Sequence, residues 1–329
     1  MHESDAIRVA VGVVMNDSRQ ILISRRPADR DHGGCWEFPG GKIKPGETAE
    51  HALLRELQEE LNLTPLETRP LIRINHCYTD YSVILEVFLV RSWKGEATGL
   101  EGQSFKWVAQ NRLSEFDFPA ANGPILKALE LPEIYFITPE QEILRKGFLD
   151  RCEKILAAGC RMVQFRSKQS AFSRTRTVFD ELLIMCRAHD SSLLLNGTVP
   201  EAVDAGADGC HLSSNNLRKY SGSIRPDEFL IAASCHDGEE LELASSLQLD
   251  FAVLGPVRKT GSHPVKKCLG WPGFCELSAR AGLPVYAIGG MQLSDLETAW
   301  LNGGHGLACI SAIWQLSDND HPRLPRTII

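Results

Sequence analysis

Glu47, Glu50, Glu56, Glu59 and Glu60 crowd into one short stretch, GGKIKPGETAEHALLRELQEELNL, residues 40–63. Three of them, Glu56, Glu59 and Glu60, fall on one helical face, where like charges three and four residues apart repel. Such a face is either plain solvated surface or the anionic half of a site whose positive half lies against it. Gly40, Gly41 and Gly46, just before the helix, permit a tight loop whose carbonyls face the same way. Carboxylates converging with backbone oxygens suit a hard divalent cation, Mg²⁺ or Mn²⁺, which grips a polyphosphate rather than being caged by protein alone.

A helix must hold those glutamates. In TAEHALLRELQEEL, Ala49, Leu53, Leu57 and Leu61 recur every four residues with Leu54 beside them, a buried stripe opposite the acidic face. Thr48 is a candidate N-cap, Glu50 suits the positive end of the helix dipole, and Asn62 can take the left-handed C-terminal conformation. Around this helix, residues 7–130 read as mixed strands and helices. IRVAVGVVM and QILISRR are β-rich runs joined by the polar turn NDSRQ, SVILEVFLV is a further strand, and GPILKALEL is a closing helix. A boundary is expected near Leu131, giving domains 1–130 and 131–329.

From residue 134 the pattern becomes regular alternation. IYFIT, RMVQFRS, SLLLN, GCHLS, LIAASC, FAVLGP, VYAIGG and GLACIS are short, continuously apolar runs, most separated by stretches of helical composition. Parallel strands covered on both faces have this character. Eight such units in this length predict a small (β/α)8 barrel, with SSNNLRKYSGSIRPDEF as its weakest crossover.

Size and charge bound the rest. At 329 residues, 43% apolar and 23% charged, the chain suits two globular domains. A formal net charge of -7 argues against a non-specific grip on duplex DNA or RNA, which needs a basic face. The 10 cysteines stand singly with no C-x-x-C pair, so reduced thiols in the cytoplasm are expected. The N-terminus lacks the pattern of a signal peptide, and no apolar run approaches the roughly 18 residues of a membrane span.

Read as G-x5-E-x7-R-E-U-x-E-E-x-G-U, where U is a bulky aliphatic, the stretch fits from Gly41 to Leu63. It resembles the Nudix box of the Nudix hydrolases, departing only at Asn62, where that family has glycine. The resemblance implies an α/β/α sandwich that hydrolyses a nucleoside diphosphate linked to another group, water attacking phosphorus beside bound Mg²⁺. It makes Glu56, Glu59 and Glu60 metal ligands, aided by a carbonyl near Gly40 or Gly41, and has Arg55 orient Glu47 through a charge-assisted hydrogen bond.

AVGVVMNDSRQILISRRPAD, WEFPGGKI, GLEGQSFKWV and DFPAANGPILKAL extend the likeness to MutT-type 8-oxo-dGTP diphosphatases. That likeness implies an oxidised purine nucleoside triphosphate as substrate. It adds Glu101 as a metal ligand or general base, Asn122 as the base-reading amide, and Arg26 and Phe38 as pocket residues. By themselves Glu101 is a loop glutamate, Asn122 a cap for the helix starting near Pro124, Phe38 core and Arg26 surface. The match fades around HCYTDYSVIL, where Tyr81 stands at an arginine position of that family. Glu56 and Glu101 both remain candidates for the general base, and the oligomeric state is open.

MVQFRSK, LLLNGTVPEAVDAGADGCHLSSNNL, AASCHDGEEL, VLGPVRKT and VYAIGGM are similar to thiamine-phosphate synthases and the related thiazole tautomerases. The likeness implies a phosphate cradle at Gly289, Gly290 and Ser311, with Arg166 and Lys168 as basic residues for pyrophosphate. Two departures stand out. Asn196, Gly197 and Thr198 replace that family's N-D-R, and Asn216 replaces an acid, so both Mg²⁺ carboxylates have lost their charge and synthase chemistry is expected to fail. His236 matches the tautomerase histidine, a role in proton transfer; a structural histidine or a barrel that only binds a phosphorylated ligand are the other readings. Together the two halves imply hydrolysis of 8-oxo-dGTP to 8-oxo-dGMP and pyrophosphate. The alternative is another (d)NTP or a thiamine-pathway pyrophosphate, with the barrel as a ligand-binding module.

Overall fold

The structure is a computed structural model, and its described residues are 6–27, 32–167, 172–222, 225–259, 268–316 and 324. Lys168, expected near a pyrophosphate, lies outside them. The chain divides into two compact units whose main break falls between Leu131 and Pro132. Among the described residues no helix is long and apolar enough to cross a membrane.

In the first unit the elements are β1 (Ile7–Val14), β2 (Gln20–Arg25), β3 (Trp36–Glu37), β4 (Gly40–Lys42), α1 (Ala49–Leu61), β5 (Thr64–Cys77), β6 (Ser82–Lys94), β7 (Phe105–Ala109) and α2 (Gly123–Glu130). Two sheets form, in the orders β4-β1-β6-β5 and β3-β2-β7. Strand β1 runs parallel to β6 and antiparallel to β4, with Ala10 opposite Gly41. The stripe expected on α1 is the one that is buried: Leu53, Leu57 and Leu61 pack with Ala10, Val14, Leu22 and Val90. Each leucine so enclosed stabilises the fold by about 1.5–3 kcal/mol. Both caps match expectation too. Thr48 accepts from the His51 N–H, and Asn62 closes the helix at φ 58°.

The second unit is a closed barrel of eight parallel strands. They are β8 (Ile134–Ile137), β9 (Met162–Phe165), β10 (Ser192–Asn196), β11 (Gly209–Leu212), β12 (Leu230–Cys235), β13 (Phe251–Leu254), β14 (Val285–Ile288) and β15 (Gly306–Cys309), each inside one of the eight apolar runs. Tyr135, Phe251 and Tyr286 fill its interior edge to face, with centroids 5.1 and 5.2 Å apart across Phe251. The weak crossover contains a helix of four residues, Ser214–Leu217.

The longest strand of the first unit, β5, carries Pro65 and Pro70, which read against a strand because proline cannot donate to the ladder. It pairs with β6 all the same, with register irregularities at Pro65/Glu67 and Pro70/Ile72 that absorb the missing donors.

Candidate active site

Close approach of two backbone elements builds the acidic site. Strand β4 passes the face of α1 at Gly41, where a Cβ would lie 2.3 Å from the Glu56 carboxyl carbon and 2.4 Å from its Oε1. Gly40 has φ +149°, and a Cβ there would meet the Ala10 carbonyl at 2.1 Å. Only glycine fits at Gly40, and at Gly41 any side chain must push the Glu56 carboxylate aside.

Arg55 binds more partners than the sequence suggests. Its Nε and Nη2 each donate to the Glu47 carboxylate at 2.9 Å, as expected, and Nη2 also reaches the Lys42 carbonyl at 3.2 Å. The same guanidinium also donates through Nη1 to Glu56 at 2.5 Å and to Glu59 at 3.3 Å. This bonding holds the Glu47 carboxyl down to about 2, with the Lys44 N–H adding to the effect. Arg55 thus offsets part of the repulsion on the acidic face. A planar fork with this many partners has no equivalent in a lysine. Arg55→Lys is therefore expected to lower kcat for nucleoside triphosphate hydrolysis by about tenfold or more. Steady-state rates of the two proteins at saturating metal test this, and rates within twofold would refute it.

Glu60 lies on the other side of the face, away from that cation. Burial, then the Glu56, Glu37 and Glu101 carboxylates, push its carboxyl up to about 8. Glu101 is brought near by the loop after β6: Leu100 N–H and Gln103 Nε2 both donate to the Glu60 carbonyl at 2.9 Å. Among the described residues no three acidic, histidine or cysteine side chains already stand around one metal position; Glu56 is instead paired with Arg55. A half-buried carboxylate near three others, beside the Gly40 backbone, is nevertheless a hard, oxygen-only donor set, and a divalent cation suits it.

The expected base pocket is partly assembled. Arg26 pairs with Glu37 of β3, and its N–H donates to the Cys35 carbonyl at 2.9 Å. Phe38 is buried and stacked on Phe118 at 5.2 Å, a core packing position as well as a wall. Asn122 is 8% exposed at the start of α2. It does not cap that helix through its side chain. Among the described residues only its backbone is bonded, N–H to the Pro119 carbonyl at 2.9 Å.

At the C-terminal ends of the barrel strands, Asn216 Nδ2 donates to the Gly197 carbonyl at 2.9 Å, so the two positions lacking carboxylates bond to each other. His236 Nδ1 lies 3.1 Å from Glu240, whose Oε2 also accepts the His236 N–H at 2.8 Å. Arg166 reaches Glu140 at 3.5 Å. Gly289 and Gly290 have φ of +102° and +68°, and Ser311 opens a helix of four residues. The sequence reading missed a polar chain inside the barrel: Gln164 Nε2 donates to the Tyr135 hydroxyl at 3.2 Å, which lies 3.1 Å from His211 Nδ1, while His211 Nε2 lies 2.8 Å from Ser234 Oγ. The available signal was a polar residue in each apolar run.

Comparison with known proteins settles the families. The thiamine monophosphate synthase model matches residues 134–313, and the NUDIX domain model matches residues 10–128. The 8-oxo-dGTP diphosphatase of Escherichia coli is 40% identical over 38% of this chain and 96% of its own length. That of Haemophilus influenzae is 38% identical over 37% of this chain and 90% of its own. The thiamine-phosphate synthase of Azorhizobium caulinodans is 27% identical over 60% of this chain and 94% of its own. The chain belongs to both families.

The Nudix unit is thus a nucleoside triphosphate pyrophosphohydrolase by family, and Nudix hydrolases depend on a divalent metal. The carboxylates of α1 and Glu101, gathered beside β4, have the oxygen donors that such an ion requires. The synthase-like barrel keeps its family's strand framework while lacking carboxylates at residues 197 and 216.

Proposed function

We propose that the Nudix unit hydrolyses 8-oxo-dGTP to 8-oxo-dGMP and pyrophosphate with Mg²⁺, removing an oxidised precursor before replication. The observation that carries this reading is Asn122: a residue only 8% exposed, whose amide makes no hydrogen bond among the described residues. An amide that spends neither of its polar atoms on the protein is free to pair with an incoming base. Oxidation at C8 turns guanine N7 from an acceptor into an N–H donor. Asn122 Oδ1 can then accept from N7–H while Nδ2 donates to O6. Ordinary guanine would set acceptor against acceptor.

In this reading Glu56, Glu59, Glu60 and Glu101, with the Gly40 and Gly41 carbonyls, hold the metal. When bound, Mg²⁺ supplies neutralisation of phosphate charge and a more acidic water. Glu56 or Glu101 takes the proton from the attacking water, Arg55 and Glu47 fix the turn before α1, and Arg26 and Phe38 flank the base.

Glu60 gives a test independent of turnover. Its folded-state value, about 8, lies above its ordinary 4.5, so its contribution to stability is present below pH 4.5 and lost as pH rises towards 8. Metal-free protein is therefore expected to be less stable at pH 8 than at pH 5. At pH 8 in chelator, Glu60→Gln should melt above wild type, and Mg²⁺ should raise the melting temperature of wild type far more than that of the variant. An equal Mg²⁺ shift in both would remove Glu60 from the metal site.

For the barrel we infer a phosphate-binding module held by Gly289, Gly290, Ser311 and Arg166, with the His236–Glu240 pair available for proton transfer. Without carboxylates at residues 197 and 216 it has no means of neutralising a leaving pyrophosphate. Incubation with the pyrimidine pyrophosphate, the thiazole phosphate and Mg²⁺ should therefore yield no thiamine phosphate above background; turnover at any steady rate would overturn the assignment.

A further inference from the structure

Gly289 and Gly290 leave β14 with positive φ and run close against the residues that follow β13. A Cβ on Gly289 would lie 2.7 Å from Pro256 Cβ, and one on Gly290 3.1 Å from Arg258 Cβ. The Val257 and Arg258 N–H groups donate to the Ile288 and Gly289 carbonyls at 2.8 and 3.0 Å, tying the two loops together at the backbone. The Arg258 side chain reaches further along. Its Nη1 and Nη2 donate to Asp295 Oδ2 and Oδ1, both at 2.8 Å, and Asp295 is buried. The guanidinium carbon also stands over the Trp271 ring, 6.0 Å from its centroid. Asp295 closes the loop that the glycines begin: its Oδ2 accepts the Gln292 N–H at 2.8 Å, and its own N–H donates to the Gln292 carbonyl at 2.9 Å. The turn therefore uses an oxygen acceptor at residue 295, and the acceptor present is an acid.

We propose that Arg258 is a positioning residue for the barrel's anion site: it cancels the Asp295 charge, so that the loop can be closed by an acid and still receive a phosphate at Gly289 and Gly290. The proposal rests on the reading of those glycines as a phosphate cradle given above. A lone carboxylate one arginine side chain away from Gly290 would repel an approaching phosphate, the more strongly because burial shields it from solvent. Two parallel bonds commit the guanidinium to the acid, so Arg258 acts through Asp295 rather than on the ligand. Removing one member of such a pair leaves the other uncompensated, whereas removing both does not.

The test is calorimetric titration of the full-length protein with inorganic phosphate in chelator, at low and high salt, alongside melting temperatures. Arg258→Met keeps the aliphatic stem and strands the acid; it should raise the phosphate Kd about tenfold or more, and by a larger factor at low salt. Arg258→Lys keeps the charge and should stay within about threefold of wild type. The double variant Arg258→Met/Asp295→Asn strands no charge, and the asparagine oxygen can still accept the Gln292 N–H, so it too should bind within about threefold of wild type. A double variant as weak as Arg258→Met overturns the proposal, making Arg258 a direct ligand or a packing residue. Arg258→Met within about twofold of wild type overturns it as well, since no stranded charge is then felt. The reading of the cradle itself is overturned instead if the wild type binds no phosphate, or if Gly290→Ala and Ser311→Ala both bind it as the wild type does.

Discussion

Glu56→Gln is expected to lower kcat/KM for nucleoside triphosphate hydrolysis by about 10³-fold or more, mostly through kcat. The substitution removes one charge from the acidic face and one of the two candidate proton acceptors, and a general base alone contributes about 10²–10⁴-fold. Glutamine keeps the size and an oxygen that can still accept from Arg55 Nη1, so the packing against Gly41 survives. The fold should therefore be intact, and unchanged circular dichroism would show that the loss is chemical. Glu50 is the control. It is an exposed acid in the first turn of the same helix, worth a few tenths of a kcal/mol through the helix dipole. Glu50→Gln should hydrolyse at the wild-type rate. If Glu56→Gln retains more than a tenth of wild-type kcat/KM, Glu56 neither holds the metal nor accepts the proton.

Asn122→Ala is expected to abolish most of the preference for 8-oxo-dGTP over dGTP, a loss of roughly 5- to 150-fold in the ratio of kcat/KM, equivalent to about 1–3 kcal/mol. The change should leave melting temperature almost untouched, because the side chain makes neither a cap nor any other hydrogen bond among the described residues. That combination separates a substrate-reading residue from a structural one: removing a structural asparagine costs stability, removing this one should cost selectivity. Asn122→Asp sharpens the result. The carboxylate can still accept from N7–H but meets O6 with a second acceptor, so it should bind worse than asparagine on the oxidised base. Unchanged selectivity in both variants would shift the substrate to another nucleotide or a thiamine-pathway pyrophosphate.

What the sequence made legible was local. The stripe of α1, its Thr48 cap and its Asn62 terminus depend on residues within a few positions of each other, and all were readable. The barrel strands were readable for a related reason: walls covered on both sides leave unbroken apolar runs. Strand β5 was not, because Pro65 and Pro70 speak against a ladder and only the long partner β6 makes room for the irregularities. Nor was the parallel pairing of β1 with β6, two segments separated by most of the unit.

At the site, residue types were legible and bonding was not. Arg55 read as the partner of Glu47 alone, while the folded helix turns it towards Glu56 and Glu59 as well. Asn122 could be read as a cap or as a base reader, and only the backbone geometry removes the cap. Inside the barrel, Gln164, His211 and Ser234 each lie in a different apolar run, and a single polar residue gives no hint that Tyr135 of β8 joins the first two and His211 the last.

Gly41 has a wider implication. With the Glu56 carboxylate standing where its side chain would begin, one methyl group is enough to force the acid aside. If Glu56 acts as proposed, even alanine, the mildest of replacements elsewhere, would turn its carboxylate away from the place where it is needed. Hydrolysis would then be lost in a single mutational step that leaves every charged residue in place, and a census of acidic side chains would still score such a protein as intact.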